Sequence, residues 1–433
     1  MLLASRLRDT FPFYYGWIVV AASSTVVFAR MAPNITTLSV LIFPMSEQFG
    51  GSRTVISGSV SSGAIASLAF SPVVGWAIDR FGARPVMVIS VLCLGLAMVS
   101  LAWATLPITF YIAYSVGRVV FHTSAPIGSS TVASRWFIKK RGRAIGVIFL
   151  VGAIGGIVFT MLASLIVENY GLKTTWIIIG LLVLTVSVAP TLLLVAEKPE
   201  DIGLLPDGEI LNSDGLSKLT ESVDSAALTI GLDDESWTLG EAVHTGTFWI
   251  MVVMGFTMYF VHTSIGVHMG AYFRDVGLGP TTTALAISLS WIVSAVGSVG
   301  WGFVTDRAPI RYAYSLMFVI QAGSTLYLML VDGTLGIFLA AALFGVVSSA
   351  SNVIPSVMYA NYFGRSSLGR IRGVGEIGVL LGQATGPITA GILFGLQGNY
   401  DSIFTVFVLV AVVCSLIVLL AKPTVKNQAA LEF

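Results

Sequence analysis

Long apolar stretches recur along the whole chain, and short polar connections separate them. A helix that crosses a bilayer needs about 20 apolar residues. Twelve stretches reach that length, and they predict membrane spans 1 to 12 at 15–43, 54–77, 85–105, 108–132, 143–167, 173–195, 246–272, 281–304, 312–331, 334–360, 371–395 and 401–422. The first stretch exceeds the roughly 7–15 apolar residues of a signal peptide. It is therefore predicted to be the first transmembrane helix.

The basic residues of the connections fall mainly on one side of the predicted bundle. That side, with both termini, holds eighteen of them: Arg6, Arg8, Arg80, Arg84, Arg135, Lys139, Lys140, Arg141, Arg143, Lys198, Lys218, Arg307, Arg311, Arg365, Arg370, Arg372, Lys422 and Lys426. The other side holds Arg53, Lys173 and Arg274. Cytoplasmic loops carry an excess of lysine and arginine. The pattern predicts a multi-pass protein of the plasma (inner) membrane with both termini in the cytoplasm.

A ten-residue segment occurs twice, at the same place in each half of the chain. Residues 75–84 (GWAIDRFGAR) correspond to residues 302–311 (GFVTDRAPIR), 227 positions later. The same offset maps Gly142-Arg143 onto Gly369-Arg370. Several matches in one register indicate an internal duplication. We therefore expect two similar six-helix halves, 1–195 and 246–433.

The two halves are joined by a long acidic connection at 196–245. Its Ser/Asp-rich middle, Asn212 to Ser225, is predicted to be flexible and solvated. Trp237 to His244 is predicted to form a short amphipathic helix. The connection is interpreted as an interdomain tether, and a regulatory docking site is the alternative.

Composition agrees with a membrane protein and excludes several other classes. Hydrophobic residues make up 55% of the chain and charged residues 10%, with a mean hydropathy of +0.89; soluble domains carry about 25% charged residues. A net charge of +1, with no basic block, gives no reason to expect nucleic-acid binding. Cys93 and Cys414 both lie inside spans and predict neither a disulfide framework nor a metal site.

No catalytic motif stands out in the chain. A Ser-His-Asp arrangement, a Walker loop and a dinucleotide fingerprint are all missing from the sequence. We therefore expect a protein that is not an enzyme, needs no cofactor or metal, and works as a monomer in the lipid bilayer.

The repeated segment resembles the signature of the major facilitator superfamily between spans 2 and 3. The resemblance implies an all-α fold of 6+6 membrane helices. It also implies that Asp79, Arg80, Asp306 and Arg307 are gate residues that close the cytoplasmic side. Arg84, Arg141, Arg311 and Glu376 are further gate candidates, Glu376 because it lies about two turns from the cytoplasmic end of span 11. Asp79 can accept hydrogen bonds from a helix N-terminus of the opposite half, where the helix dipole favours a carboxylate. The alternative for these charges is simple cytoplasmic anchoring.

Three further motifs indicate which group within this superfamily the chain resembles. Trp136 to Gly146, Tyr15-Gly16-Trp17 and Lys198 to Gly203 resemble bacterial members of the monocarboxylate transporter group and its oxalate–formate antiporter relatives. The chain departs from that group because span 8 has no arginine and span 11 has no lysine. A Gly-Pro pair typical of multidrug antiporters is missing from span 5, although Gly386-Pro387 occurs in span 11.

Two arginines lie deep inside predicted spans, where a charge costs at least about 2.5–3.5 kcal/mol and indicates function. Arg30 precedes Pro33 and Asn34 in span 1, and Pro33 is expected to kink that helix. Arg118 lies in span 4, with His122 one turn further on the same face. The fold implied by the resemblance places both spans at a central cavity. Guanidinium groups bind carboxylates through paired hydrogen bonds, so these residues predict a small organic anion as substrate.

Each of these residues also has an alternative role. Arg118 could be structural or serve in coupling, and Arg30 could bind carbonyl groups exposed at the Pro33 kink. Tyr259, His262, Ser348 and Asn352 are further substrate-binding candidates from spans 7 and 10, and interhelical hydrogen bonds are their alternative. His122, His262 and His268 are candidate proton carriers. Glu376 is expected in a gate salt bridge rather than as a central proton-coupling acid.

The sequence therefore predicts a secondary transporter that moves a small carboxylate by alternating access, coupled to protons. An antiporter of drugs or other amphipathic compounds is the first alternative. A transport-inactive sensor that signals through 196–245 is the second.

Overall fold

The structure, a computed structural model, describes residues 12–48, 53–208, 237–331 and 333–423. This part of the chain is almost wholly helical and contains no strand. Every predicted span is present, with bounds within about five residues of the prediction. In order, the spans are Gly16–Ala29 with Ile35–Gln48, Arg53–Phe81, Ala83–Ser100, Pro107–Val119 with Ala125–Trp136, Arg141–Leu194 (spans 5 and 6), Gly246–Asp275, Pro280–Arg307, Ile310–Leu330, Gly333–Phe363, Leu368–Gln397 and Asp401–Ile417.

Apolar side chains cover much of the outer surface of this bundle. Nine helices in the described ranges are long and apolar enough to cross a membrane. Large hydrophobic residues such as Leu96, Ile112 and Leu409 are each 61% exposed. An aqueous surface would not stabilise so much exposed apolar area, whereas lipid would. The multi-pass membrane prediction is confirmed.

Spans 5 and 6 form a hairpin that reverses at Gly171. This glycine has φ +77° and ψ 172° inside Arg141–Leu194, a backbone conformation that is essentially restricted to glycine. The indole Nε1 of Trp136, just before span 5, donates to the carbonyl oxygen of Ala196, just after span 6, at 2.9 Å. The two ends of the hairpin therefore lie at the same end of the bundle.

We call this end, which contains the connections 137–140, 195–208 and 364–367, the basic end. The two halves meet there through glycines. A Cβ atom at Gly75 would overlap the carbonyl oxygen of Gly369, and a Cβ at Gly302 would lie 2.5 Å from the carbonyl oxygen of Gly142. The 227-residue offset maps one of these contacts onto the other. The duplication is therefore visible as a two-fold related pair of close contacts, which close the basic end.

The first part of the acidic connection packs against this end. Glu197 accepts hydrogen bonds from the backbone N–H groups of Ala83 (3.0 Å) and Arg84, and pairs with Arg135 at 2.8 Å. Asp207 accepts from the N–H groups of residues 138–140. Residues 197–208 are therefore a fixed brace on the first half rather than part of a loose tether.

The brace also holds Tyr14, and a short helix ends the connection. The Tyr14 hydroxyl donates to the carbonyl oxygens of Trp136 and Leu205, and burial raises its pKa, helped by the nearby Asp207 carboxylate. The predicted helix at 237–244 is confirmed as Leu239–Val243, capped by Thr238. The middle of the connection, 212–225, and the basic residues at 6, 8, 218 and 426 lie outside the described residues.

Candidate functional site

A polar cavity of about 150 Å³ lies between the two halves. Its wall comes from spans 1, 4 and 5 on one side and spans 7, 8, 10 and 11 on the other. The lining residues are Arg30, Met31, Phe121, His122, Pro126, Phe149, Ala153, Tyr259, His262, Trp291, Ser294, Ser298, Ser348, Ser351, Asn352, Pro355, Ser356, Arg372, Glu376, Val379 and Gln383. We call it the central cavity. Six of the eight predicted binding residues line it; Asn34 and Arg118 do not.

Arg30 lines the cavity because span 1 breaks beside it. Helix Gly16–Ala29 ends just before this arginine, and a new helix begins at Ile35, which confirms the interruption predicted from Pro33. The Pro33 carbonyl oxygen accepts from the Tyr114 hydroxyl at 2.9 Å. The hydrogen bond that the structure gives to Arg30 goes to span 4 and not to a carbonyl of the kink.

Arg30 instead donates to span 4. Its Nη1 lies 2.9 Å from the carbonyl oxygen of Phe121. That oxygen lacks its usual helical partner, because the N–H of Ala125 reaches back to the first residue of the π turn Val120–Ser124, and Pro126 has no N–H to offer. The π turn thus creates the acceptor that orients Arg30. The Nε of Arg30 is buried without a partner, so a ligand can be bound only through the terminal nitrogens of this guanidinium.

Arg118 lies behind the cavity wall. Its Nη2 is 2.7 Å from Nε2 of His122, and its guanidinium carbon lies 4.9 Å above the Phe121 ring. His122 lines the cavity between Arg118 and the space where a ligand would bind. The prediction that Arg118 contacts substrate is therefore not supported, and Arg118 can act on a ligand only through His122.

Asn34 is also set back from the cavity. It is buried, and its Nδ2 lies 3.8 Å from the sulfur of Met31. Its amide faces Gly156 of span 5, where a Cβ would lie 4.0 Å from Nδ2. Asn34 is therefore near the edge of the central cavity and not in its wall.

The four candidates from the second half do come together. Tyr259, His262, Ser348 and Asn352 all line the cavity. The His262 ring stacks on Phe344 at 4.2 Å between ring centres, which fixes its plane. Asn352 donates to the Ser348 carbonyl oxygen at 3.2 Å, leaving its own side-chain oxygen as an acceptor. His268, the other proton-carrier candidate, lies away from the cavity and bonds to Tyr400 and the Pro387 carbonyl oxygen.

Two charged residues of span 11 complete the wall and were not predicted there. Glu376 was expected at the gate, yet it lines the central cavity, where the positive charges of Arg372 and Arg30 act on its carboxyl group. Arg372 crosses to the first half and donates to the Ser130 hydroxyl and to the Pro126 carbonyl oxygen. Their spacing of four residues places both on one helix face, and that was the sequence signal for this pair.

The predicted gate aspartates cap helices of the opposite half. Asp79 accepts from the backbone N–H groups of Gly369 (2.9 Å) and Arg370 (2.7 Å), at the start of span 11. These N–H groups have no partner within their own helix, and the helix dipole favours a carboxylate there. The geometry is the one expected for Asp79 from the sequence.

Asp306 repeats this cap at the start of span 5, with one addition. It accepts from the N–H groups of Gly142 (2.6 Å) and Arg143 (3.3 Å), and from Nε of Arg143 at 2.7 Å. Arg143 thus contacts Asp306 through both its backbone and its side chain.

The predicted gate arginines behave differently from one another. Arg141 reaches the opposite half, where its guanidinium donates to Oδ1 of Asn361. Arg84 donates to the Leu192 carbonyl oxygen within its own half, and Arg311 bonds to the Tyr312 hydroxyl at 3.2 Å. Arg141 therefore joins the halves, whereas these two brace their own halves.

Arg80 and Arg307, one residue after the gate aspartates, are exposed. The guanidinium of Arg80 lies 6.0 Å from the rings of Trp76 and Phe81, and that of Arg307 lies 5.4 Å from the ring of Phe303. Both contacts are within the arginine's own helix. The gate role of these two residues therefore stays a prediction, since within the part of the chain that the structure describes their aromatic contacts lie in their own helices.

Comparison with known proteins identifies relatives over the whole fold. The Major Facilitator Superfamily model matches residues 22–350 and 248–432. Monocarboxylate transporter 9 of Mus musculus is 30% identical over 178 residues, which is 40% of this chain and 34% of that protein. The match thus spans about a third of that relative's length. The oxalate:formate antiporter of Oxalobacter formigenes is 22% identical over 289 residues, 64% of this chain and 61% of that protein.

A drug pump and a solved structure are also similar. Multi-drug resistance efflux pump PmrA of Streptococcus pneumoniae serotype 4 is 24% identical over 360 residues, 80% of each chain. The human organic anion transporter MFSD10 superposes with a TM-score of 0.71 and 14% identity, over 93% of this chain and 99% of that one. At that identity the likeness shows the fold alone, and it agrees with two six-helix halves.

Proposed function

This chain belongs to the major facilitator superfamily, and from that premise we propose that it is a secondary transporter of a small organic anion. The halves 1–195 and 246–433 rock about the central cavity, which opens to one side of the membrane at a time. The bundle is closed at the basic end. That end faces the cytoplasm by the positive-inside rule, so this conformation admits substrate from the outside of the plasma membrane.

The observation that carries the proposal is the charge of the central cavity. Arg30 and Arg372 face one carboxylate, Glu376, so the wall has an excess of one positive charge. An uncompensated positive charge between membrane helices is energetically costly. The excess positive charge of the wall therefore favours binding of an anion. A guanidinium binds a carboxylate through two parallel hydrogen bonds. The similarity to a monocarboxylate transporter and to an oxalate:formate antiporter supports a carboxylate substrate.

Glu376 is the residue we assign to proton coupling. A proton on its carboxyl group changes the excess charge of the wall from one to two, which strengthens anion binding. By thermodynamic linkage, a bound anion then favours the protonated carboxyl to the same extent. Proton and carboxylate therefore bind together and cross together. The carboxyl group of Glu376 lines the cavity, near the positive charges of Arg372 and Arg30, so a proton and an anion in the cavity act on the same set of charges.

A drug antiporter is the second candidate, and the similarity to the efflux pump PmrA favours it. The size of the central cavity argues against it. At about 150 Å³ the cavity is smaller than the roughly 300–1,000 Å³ of pockets that bind drug-sized molecules. A short carboxylate fits this volume better.

Binding to purified protein, read as thermal stabilisation, tests the proposal. A ligand that binds the folded state raises its stability by RT ln(1 + [L]/Kd). We expect lactate or oxalate to stabilise the protein, and lipophilic cations to have no effect. Arg30→Gln should raise the carboxylate Kd by about 10- to 100-fold, since hydrogen bonds to charged groups contribute about 1.5–3 kcal/mol.

Arg118→Gln is the matched control in span 4. It removes a buried arginine that does not line the cavity, so the Kd should change by less than about fivefold. Stabilisation by lipophilic cations alone would replace this proposal with the drug antiporter. If both variants lose carboxylate affinity to the same extent, Arg30 does not bind the substrate directly.

A further inference from the structure

The two arginines of the central cavity are held in different ways. Arg30 donates to the Phe121 carbonyl oxygen at 2.9 Å, and both residues belong to the first half. Arg372 of span 11 donates instead to the Ser130 hydroxyl and, at 3.4 Å, to the Pro126 carbonyl oxygen, both in span 4. The bonds of Arg372 therefore join the two halves, whereas the bond of Arg30 stays within one half.

The place of Arg372 on span 11 links these bonds to closure of the basic end. Three residues before it, Gly369 donates its N–H to Asp79 at 2.9 Å. One residue after it, the carbonyl oxygen of Gly373 accepts from the Ser71 hydroxyl at 2.7 Å. Opening the basic end separates this part of span 11 from the first half, so Arg372 then loses both of its acceptors on span 4.

Opening leaves the Arg372 guanidinium in need of a new counter-charge, because an uncompensated charge between membrane helices is costly. Arg372 is buried, and its Nε has no partner. Glu376 lies one turn further along the same helix face, where an arginine and a glutamate can pair. The charge of Arg372 already acts on its carboxyl group. The ionised carboxylate of Glu376 is therefore the nearest replacement.

The other titratable groups around Glu376 cannot take this role. Those that act on it or line the cavity with it are Arg30, His122, Tyr259, His262, Tyr314 and Tyr359, from spans 1, 4, 7, 9 and 10. Near pH 7 a histidine is neutral or positive and a tyrosine is neutral, and an arginine is positive. Within the described part of the cavity wall, a negative charge can thus come only from Glu376.

We propose that Arg372 is a switch that determines which charge states of the protein can open at the basic end. This inference rests on the proposed function and states how its coupling is enforced. With the cavity empty, opening requires an ionised Glu376, so its proton must first return to the side from which it came. With a substrate carboxylate bound, that anion pairs with Arg372, and Glu376 stays protonated during opening. The empty, protonated protein stays closed, which prevents protons from crossing without substrate.

Proton flux without substrate tests the switch. It is measured with a pH-sensitive dye inside liposomes that contain the purified full chain, under a pH gradient, with potassium and valinomycin to compensate charge. The unmodified protein should show only the background flux of protein-free liposomes. Arg372→Gln needs no counter-charge, so its empty, protonated form can open. Its flux should exceed background at least about tenfold, since an uncompensated charge costs more than the 1.4 kcal/mol of a tenfold change in population.

Two matched variants separate the switch from a general loss of structure. Arg372→Lys keeps the positive charge and should show only background flux. Glu376→Gln cannot carry a proton, so adding it to Arg372→Gln should return the flux to background. An Arg372→Gln protein without extra flux, an equal flux in Arg372→Lys, or a flux that persists in the double variant overturns the switch.

Proton uptake by the unmodified protein on addition of lactate or oxalate distinguishes this failure from failure of the proposed function. If uptake occurs while the variants contradict the switch, the proposed transport stands and Arg372 does not control it. If neither anion causes proton uptake, the proton coupling on which the switch rests is refuted as well.

Discussion

Asp79 is the clearest place to perturb the closed basic end. Its carboxylate accepts the N–H groups of Gly369 and Arg370 at 2.9 and 2.7 Å, and these bonds exist only while spans 2 and 11 are in contact. Asp79→Ala removes both and leaves the start of span 11 uncapped. We expect the equilibrium to shift toward a conformation that is open at the basic end.

The size of the shift follows from the cap. Replacing an N-cap carboxylate by alanine costs about 0.5–2 kcal/mol in soluble proteins. Here the carboxylate is half-buried and meets two N–H groups with the favourable helix dipole, so the upper value applies. About 2 kcal/mol corresponds to roughly a 30-fold increase in the ratio of open to closed conformations.

Alkylation of a single cysteine in the cavity wall measures that ratio. Cys93 and Cys414 are replaced, and Ser356→Cys is introduced at a buried position that lines the central cavity. A membrane-impermeant maleimide applied to inverted vesicles reaches this thiol only when the basic end opens. Its rate should rise about 30-fold with Asp79→Ala.

The neighbouring arginine provides the control for this measurement. Arg80→Ala removes an exposed side chain that contacts only rings of its own helix, so the alkylation rate should stay within about twofold of the parent. If Asp79→Ala behaves like Arg80→Ala, the cap does not hold the basic end closed, and the reasoning from its two hydrogen bonds is refuted.

Two further predictions address closure and coupling. Gly302→Ala places a Cβ 2.5 Å from the Gly142 carbonyl oxygen, whereas a Cβ at Gly300 meets nothing within 4 Å. Gly302→Ala should therefore speed alkylation of the cavity cysteine, and Gly300→Ala should not. Equal alkylation rates in the two variants would show that close packing at Gly302 does not hold the basic end closed. Glu376→Gln makes the wall permanently more positive, so carboxylate binding should tighten and lose its dependence on pH. A retained pH dependence in that variant would assign the coupling proton to another group.

Several features of the fold follow from residues that are near one another in the chain. Span lengths follow from the apolar runs, and the cap at Asp79 follows from a repeated motif placed between two apolar helices. The break at Pro33 follows from the missing N–H and the fixed φ of proline. Each of these depends on residues that are close together in the chain, or on a pattern that occurs twice.

The composition of the cavity wall was decided by tertiary packing. Arg118 and Arg30 look alike in sequence, yet Arg118 lies behind the wall and bonds to His122. Arg30 lines the cavity, oriented by the Phe121 carbonyl group that the π turn at Val120–Ser124 leaves free. By the 227-residue offset, Arg372 and Glu376 correspond to Ile145 and Phe149. Because both counterparts are apolar, the internal repeat did not predict charged residues in the wall at span 11.

The sequence by itself therefore determined the membrane helices and their two-fold repeat, and it offered Asp79 as a helix cap beside the alternative of simple cytoplasmic anchoring. The tertiary structure alone decided which polar side chains share one space, because that depends on helix rotation and on contacts between residues more than 200 positions apart. The hydropathy pattern along the chain does not record how far each helix is rotated about its axis. A rotation of one helix by half a turn would nonetheless exchange the residues that line the central cavity for those that face lipid.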